Sequence, residues 1–292
     1  MINQNAEEYS MRIINLVENE NGAAGCEAAH GLSFYVETPN HKILIDAGPS
    51  DVILRNAKVL EVDLTAVDTM ILSHGHYDHS GGLLAFAQLN PKAKIYMQRE
   101  ATGEHYAFDN ITEDLKKNIS LYRYIGIDKQ ISSLPQIVFL DGDLKIDSEL
   151  LLFTVQKRNY ELSSTNKRIL IKKGDSYVQD NFEHEQYLVI SCDNQSVLFS
   201  GCAHNGILNI MDEFHRKYNF FPSAAVSGFH LMKKSGYQEA DREEEREIAR
   251  KLTSYPTKFF TCHCTGIEPF DEMRSIMKNQ LEYIKTGTIF DL

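Results

Sequence analysis

The sequence predicts one α/β domain of 292 residues, built on two β-sheets. Three observations carry this reading. Two β-hairpins stand far apart in the chain, over residues 32–46 and 186–200. Each ends in a polar, glycine-bearing turn that leads toward a helix, Asp46-Ala47-Gly48 in the first and Gly201-Cys202-Ala203-His204 in the second. Between them, strand and helix patterns alternate as in βαβ units, and no linker rich in Pro, Gly or Ser divides the chain.

Each element has a local cause. Residues 11–17 are apolar enough for a first strand, and Glu18-Asn19-Glu20-Asn21-Gly22 ends it as a polar turn. Residues 32–37 alternate, Thr38-Pro39-Asn40-His41 is turn chemistry, and residues 42–46 return. Residues 51–62 put Val52, Ile53, Leu54, Val59 and Leu60 on one helical face. Met70-Ile71-Leu72 reads as a buried strand, residues 82–89 as a helix and residues 93–97 as a strand. From about 99 to 135 the pattern loosens, and both a connector with short helices and a lid insertion over a site remain open. Short strands are expected over 136–140, 144–146, 150–155 and 168–171. After the second hairpin come a helix from Ile207, a strand over 224–229 and a charged helix over 239–253, with its charges on a solvated face. A strand over 258–261 then ends at Cys262-His263-Cys264. A last helix over 273–284 and a closing strand over 287–290 complete the expectation.

Acidic residues outnumber basic ones by 41 to 30, which does not favour nucleic acid or an anionic membrane as partner. No apolar run approaches the roughly 18 residues of a membrane-spanning helix. The first residues lack the basic and apolar regions of a signal peptide, and five cysteines are an odd number. A cytoplasmic protein with free thiols and a small-molecule substrate is therefore expected.

The stretch Leu72-Ser73-His74-Gly75-His76-Tyr77-Asp78-His79-Ser80-Gly81 is the chemical signal. Three histidines and an aspartate fall within six positions, between a strand and a helix start. Eleven histidines in the whole chain would rarely cluster so by chance. Neutral imidazole and carboxylate suit zinc and neighbouring transition metals. Without a cation between them, four such side chains on one tight turn would repel or desolvate one another.

His74-Gly75-His76-Tyr77-Asp78-His79 resembles the H-x-H-x-D-H signature of the metallo-β-lactamase fold hydrolases. Gly31-Leu32-Ser33, Gly201-Cys202-Ala203-His204, Gly228-Phe229-His230-Leu231 and Thr261-Cys262-His263-Cys264-Thr265-Gly266 resemble one subgroup, named after a dihydropterin ribofuranosylaminobenzene phosphate synthase. The resemblance covers nearly the whole chain. It implies an αββα sandwich of two mixed sheets flanked by helices, with metals at one sheet edge.

It also implies roles. His74, His76, Asp78, His79, His204 and His263 would be metal ligands for one or two Zn2+ ions, with Mn2+ or Fe2+ as alternatives. A binuclear centre would activate a water. Asp78 would also accept a proton, and Asp46 would fix the tautomer of a ligand histidine. Many family members carry a bridging Asp where Gly201-Cys202 stands here; Cys202 or, preferentially, His204 would replace it. His230 is the candidate acid or oxyanion donor, with an ordinary surface histidine as the plain alternative. His184 is open between pocket residue and ligand, and His30 would line the pocket. His41, His105 and His215 read as structural, and Cys262 and Cys264 as packing residues. The implied activity is metal-dependent hydrolysis of a small ester, lactone or phosphoester. The alternatives are a transferase that joins an aminobenzene ribofuranosyl phosphate to a dihydropterin with loss of pyrophosphate, and a non-catalytic metal-bound sensor.

Overall fold

The computed structural model describes residues 11–108, 121–192, 195–234 and 236–292. In the first half, β1 (Arg12–Val17), β2 (Ser33–Glu37) and β3 (Lys42–Ile45) form an antiparallel meander. After α1 (Val52–Val59), β4 (Thr69–Ile71) pairs parallel to β3. The short α2 (Tyr77–Ser80) and α3 (Leu83–Leu89) follow, and β5 (Lys94–Gln98) pairs parallel to β4. Strands β6 (His105–Phe108) and β7 (Tyr122–Tyr124) leave this sheet, and β8 (Ile137–Leu140) returns to its edge beside β5.

The second half repeats the plan. β9 (Leu144–Lys145) and β10 (Leu150–Phe153) precede β11 (Ile169–Lys173) and β12 (Ser176–Gln179). The hairpin strands β13 (Tyr187–Cys192) and β14 (Gln195–Ser200) come next. Then α4 (Ile207–Tyr218), β15 (Ala224–Ser227), α5 (Glu239–Leu252), β16 (Lys258–Thr261) and α6 (Ile267–Met277) alternate, with β14, β15 and β16 parallel. β17 (Leu281–Tyr283) adds to β16, and β18 (Ile289–Asp291) crosses to pair with β1. Two seven-stranded sheets result, and β12-β11-β6-β7 make a third.

Burial explains the layers. Ile13, Phe34, Ile43 and Ile71 of the first sheet pack against Leu188, Val197, Phe199 and Val226 of the second, with the rings of Phe34 and Phe199 in edge contact at 6.2 Å. The opposite face of the first sheet takes Val52, Ile53, Leu83 and Phe86 from α1 and α3. That of the second takes Ile210, Phe214, Ala249, Leu252 and Met273 from α4, α5 and α6. The order is therefore helix, sheet, sheet, helix, as expected. No helix among the described residues is long and apolar enough to cross a membrane.

Two expectations change. The apolar run over 273–284 is not one helix. α6 stops at Met277, a 3-10 turn follows, and β17 pairs with β16. Lys278 at φ 53° breaks the helix. The stretch over 99–135, open between a connector with short helices and a lid, holds short 3-10 turns at Arg99–Thr102 and Ile131–Ser133 but also two strands, because β6 and β7 join β11 in the third sheet. Residues 109–120 of that stretch lie outside the described residues.

His41 closes the β2–β3 turn by bridging Asp68 Oδ1 at 2.9 Å and Asp147 Oδ2 at 2.8 Å. Burial opposes its charged form, but the two carboxylates outweigh burial and raise its pKa. A raised folded-state pKa adds stability below the unfolded value and loses it as pH rises through the folded value. Replacing His41 by Asn should therefore cost about 1 kcal/mol near pH 5.5 and progressively less toward about pH 9 in denaturant titrations. An equal cost at both pH values would contradict this.

Gly81, at the end of α2, sits against the loop after β3. A Cβ there would lie 2.0 Å from the Pro49 carbonyl oxygen. Gly81→Ala should destabilise the fold by about 1–3 kcal/mol through overpacking, read as a lowered thermal midpoint. An unchanged midpoint would mean that the loop moves aside freely.

Candidate metal centre

The polar strand ends converge on one edge. β3 ends at Asp46, β4 at the His74–His79 turn, β14 at Cys202-Ala203-His204, β15 at His230 and β16 at His263. Parallel strands bring their C-terminal ends together, which is where α/β sheets gather ligand-binding side chains. Asp46, Ala203, His230 and His263 all have left-handed backbone, with φ between 49° and 58°. Such residues cost on the order of 1–3 kcal/mol each and concentrate at functional sites.

Asp46 organises the turn. Its Oδ1 accepts Ser73 N–H at 2.7 Å, and its Oδ2 accepts Ser73 Oγ–H at 2.7 Å and His79 Nδ1–H at 2.6 Å. Ser73 Oγ in turn lies 2.8 Å from His74 Nδ1 and accepts from it. Gly201 must lack a side chain, because a Cβ would meet Ser73 Oγ at 2.2 Å.

Distant residues fix two more rings. Asn166 Oδ1 accepts from His204 Nδ1 at 2.9 Å, and Asn19 Oδ1 accepts from His263 Nδ1 at 2.9 Å. The Nδ1 protons of His74, His79, His204 and His263 are thus all engaged. The Nε2 of each ring is left facing the site.

Several of those nitrogens have no partner. Nε2 of His74, His76, His204 and His263 is buried without a hydrogen bond. Burial, reinforced by neighbouring imidazoles, pushes the pKa of His74, His76 and His204 well below the usual value, so these rings are neutral near pH 7. Buried, neutral and unpartnered lone pairs cost free energy unless something accepts them, and a cation does.

Ligand-type atoms of His74, His76 and His204 lie within 4.8 Å of one another. Beside them Asp78 Oδ2 lies 3.5 Å from His263 Nε2, and His79 Nε2 lies 3.2 Å from Cys202 Sγ. Burial alone would raise the Asp78 pKa; the imidazoles of His263, His79 and His76 outweigh it and keep the carboxylate ionised. Burial likewise opposes charge on His79, but Asp46 pushes its pKa up to about 9, so a cation arriving at Nε2 displaces a proton. Burial raises the Cys202 thiol, which needs a cation to ionise.

The structure thus brings together all six expected ligand residues and supporting Asp46. It also places Cys202 and His204 in the site at once: His204 beside His74 and His76, Cys202 beside His79. His230 lines the same pocket, with both ring nitrogens buried and unpartnered and its ring 4.2 Å from that of His204. His30 lines it too, with Nε2 3.6 Å from Asp78 Oδ2.

Two residues read from the sequence as structural stand closer to the site than that reading implied. Cys264 is no remote packing residue. It lines the pocket, its Sγ donates to the Cys202 carbonyl at 3.5 Å, and Cys202, His263 and Cys264 form another close ligand-type group. A 3-10 turn over His263–Thr265 carries Cys264 round into the pocket. His105 is fully buried, 2.7 Å from Asp180 Oδ2, in a cluster with His76 and His184. Its strand position beside Tyr106 gave no sign of this; only the third sheet brings it there. His184 stands behind the metal turn, accepting Gly75 N–H on Nδ1 at 3.0 Å.

Comparison with known proteins agrees with this geometry. The family model described as the metallo-beta-lactamase superfamily matches residues 27–155. A 7,8-dihydropterin-6-methyl-4-(beta-D-ribofuranosyl)-aminobenzene-5'-phosphate synthase of Methanocaldococcus jannaschii is 27% identical over 282 residues, 89% of each chain. An uncharacterized protein of the same organism, MJ0448, is 27% identical over 270 residues, covering 91% of this chain and 94% of its own. The crystal structure of Tm1679, a metal-dependent hydrolase of the beta-lactamase superfamily, superposes with a TM-score of 0.78 at 26% identity, over 97% of this chain and 99% of that one. By its sheets, its strand-end cluster and these relatives, the chain has the metallo-β-lactamase fold and is similar to proteins of that superfamily.

Proposed function

We propose that this chain is a metal-dependent hydrolase of a small ester, lactone or phosphoester. The observation that carries the reading is the convergence of unpartnered, buried, neutral nitrogens from His74, His76 and His204. Those three residues would hold a first ion. Asp78, His79 and His263, with the Cys202 thiolate, would hold a second. Imidazole, thiolate and carboxylate together favour zinc, with manganese or iron as alternatives. Bound there, the metal would supply Lewis acidity and a water made acidic enough to attack at neutral pH.

The chain's own groups divide the remaining work. Asp78, held ionised, accepts a proton from the attacking water. His230, with both ring nitrogens free, donates to the substrate oxygen or leaving group. Asp46 and Asn19 hold the tautomers that keep Nε2 available. Ala107, Ile125 and Ile169 give the pocket an apolar wall, to which the 99–135 stretch contributes the first two. A second reading, a transferase acting on an aminobenzene ribofuranosyl phosphate and a dihydropterin, is favoured only by the synthase relative.

Protein purified without chelator should contain zinc, manganese or iron by elemental analysis and should hydrolyse generic esters or phosphodiesters. His76→Ala should lose at least one ion and nearly all turnover. Metal-free protein that stays inactive when zinc or manganese is added would sink the proposal. Turnover only with a pterin acceptor would transfer it to the second reading.

Asp46→Asn keeps the shape of the carboxylate but presents an amide N–H to one of its donors. Metal affinity should fall about 10–100-fold in competition with a chromophoric chelator. Wild-type affinity in this variant would show that Asp46 merely caps β3.

A further inference from the structure

One tripeptide, His184-Glu185-Gln186, touches both halves of the proposed first ion's ligand set. Just before β13, it grips the His74–His76 turn from behind. His184 Nδ1 accepts Gly75 N–H at 3.0 Å, Gln186 N–H donates to the Ser73 carbonyl at 2.8 Å, and Gln186 Nε2 donates to the Leu72 carbonyl at 2.9 Å. Between them, the Glu185 carboxylate takes the other loop. It accepts His204 N–H at 2.7 Å and Asn205 N–H at 2.8 Å. Asn205 Nδ2 at 2.9 Å and Tyr187 OH at 2.6 Å complete its shell.

The protons on this tripeptide are determined. Because Gly75 N–H points at Nδ1, neutral His184 carries its proton on Nε2, which lies 3.3 Å from Asp180 Oδ2. Asp180 is anchored by His105 Nδ1 at 2.7 Å and by Phe182 N–H at 2.8 Å. In the four-residue group of His76, His105, Asp180 and His184, the Nε2 of each histidine is buried without a hydrogen bond. As a cation site the group would need His184 to give up the Nε2 proton while still accepting from Gly75.

We infer that His184 and Glu185 are positioning residues that set the distance between the His74–His76 turn and His204, and so the affinity for one of the two ions. The inference rests on the two-ion reading above. The second ion's set is held by other groups: Glu18 Oε1 accepts His263 N–H at 2.6 Å, and Asn19 accepts His263 Nδ1–H. The two supports are separate, so they can be disturbed separately.

The test is a stepwise chelator-competition titration of the full chain, with folding checked by circular dichroism. His184→Ala and Glu185→Gln should each weaken one ion by about 10–100-fold and leave the other unchanged. Asn19→Ala should weaken the other ion instead. His184→Asn, whose Oδ1 takes the place of Nδ1, should restore binding to within about threefold of wild type, as a retained acceptor predicts. Two ions of unchanged affinity in both His184→Ala and Glu185→Gln would overturn the inference and leave the proposed function standing. Equal weakening of both ions in a folded variant would overturn it too, as would a third ion lost in His105→Ala. A wild-type chain that binds no ion would remove the proposed function and this inference together.

Discussion

Asp46 is wholly buried, and its two oxygens take three donors from the turn that carries His74 and His79. A buried carboxylate is expensive unless such donors surround it. Here the same bonds that solvate it also orient the site. Glu18 and Glu185 follow the same logic, each accepting the backbone N–H of a histidine that faces the pocket. Burial pushes both carboxyls' pKa upward, against the donors that stabilise their charge. Three buried acids, on three different segments, thus fix three loops on which ligand-type side chains stand.

Holding those loops has a conformational cost. Left-handed backbone at Asp46, Ala203, His230 and His263 turns each strand sharply into the pocket. Hydrogen bonds to neighbouring segments offset the strain. The Gly228 N–H reaches the Gly201 carbonyl at 2.8 Å, and the N–H groups of Leu231 and Met232 both reach the Cys264 carbonyl. The strand-end loops are therefore laced to one another, and the pocket is preorganised rather than assembled around a ligand.

Much of this was legible in the chain. The His74–His79 turn, the hairpins and the strand-end glycines are local signals, and each led to the element found. The aspartate at the end of β3 was legible because a polar residue had been thrust out of an apolar run. What escaped depended on long-range contacts. His105 and His184 meet only because β6 pairs with β11 in the third sheet. Cys264 enters the pocket only because His263 takes a left-handed turn, which residue type does not foretell. The last helix was overextended because Leu281 and Ile284 fit either period, and the free edge of β16 decided for a strand.

The support of His263 by Glu18 and Asn19 spans nearly the whole chain, and β18 pairs with β1. Tyr283 adds a further hydrogen bond to Glu18. On a ribosome, β1 must therefore wait for residues 245 to 265 positions further along before its polar end finds partners. Contacts of such sequence separation form late and slowly. A nascent or truncated chain would carry the His74–His79 turn without the opposing histidine. In this protein, closure of the complete histidine cluster marks the finished molecule.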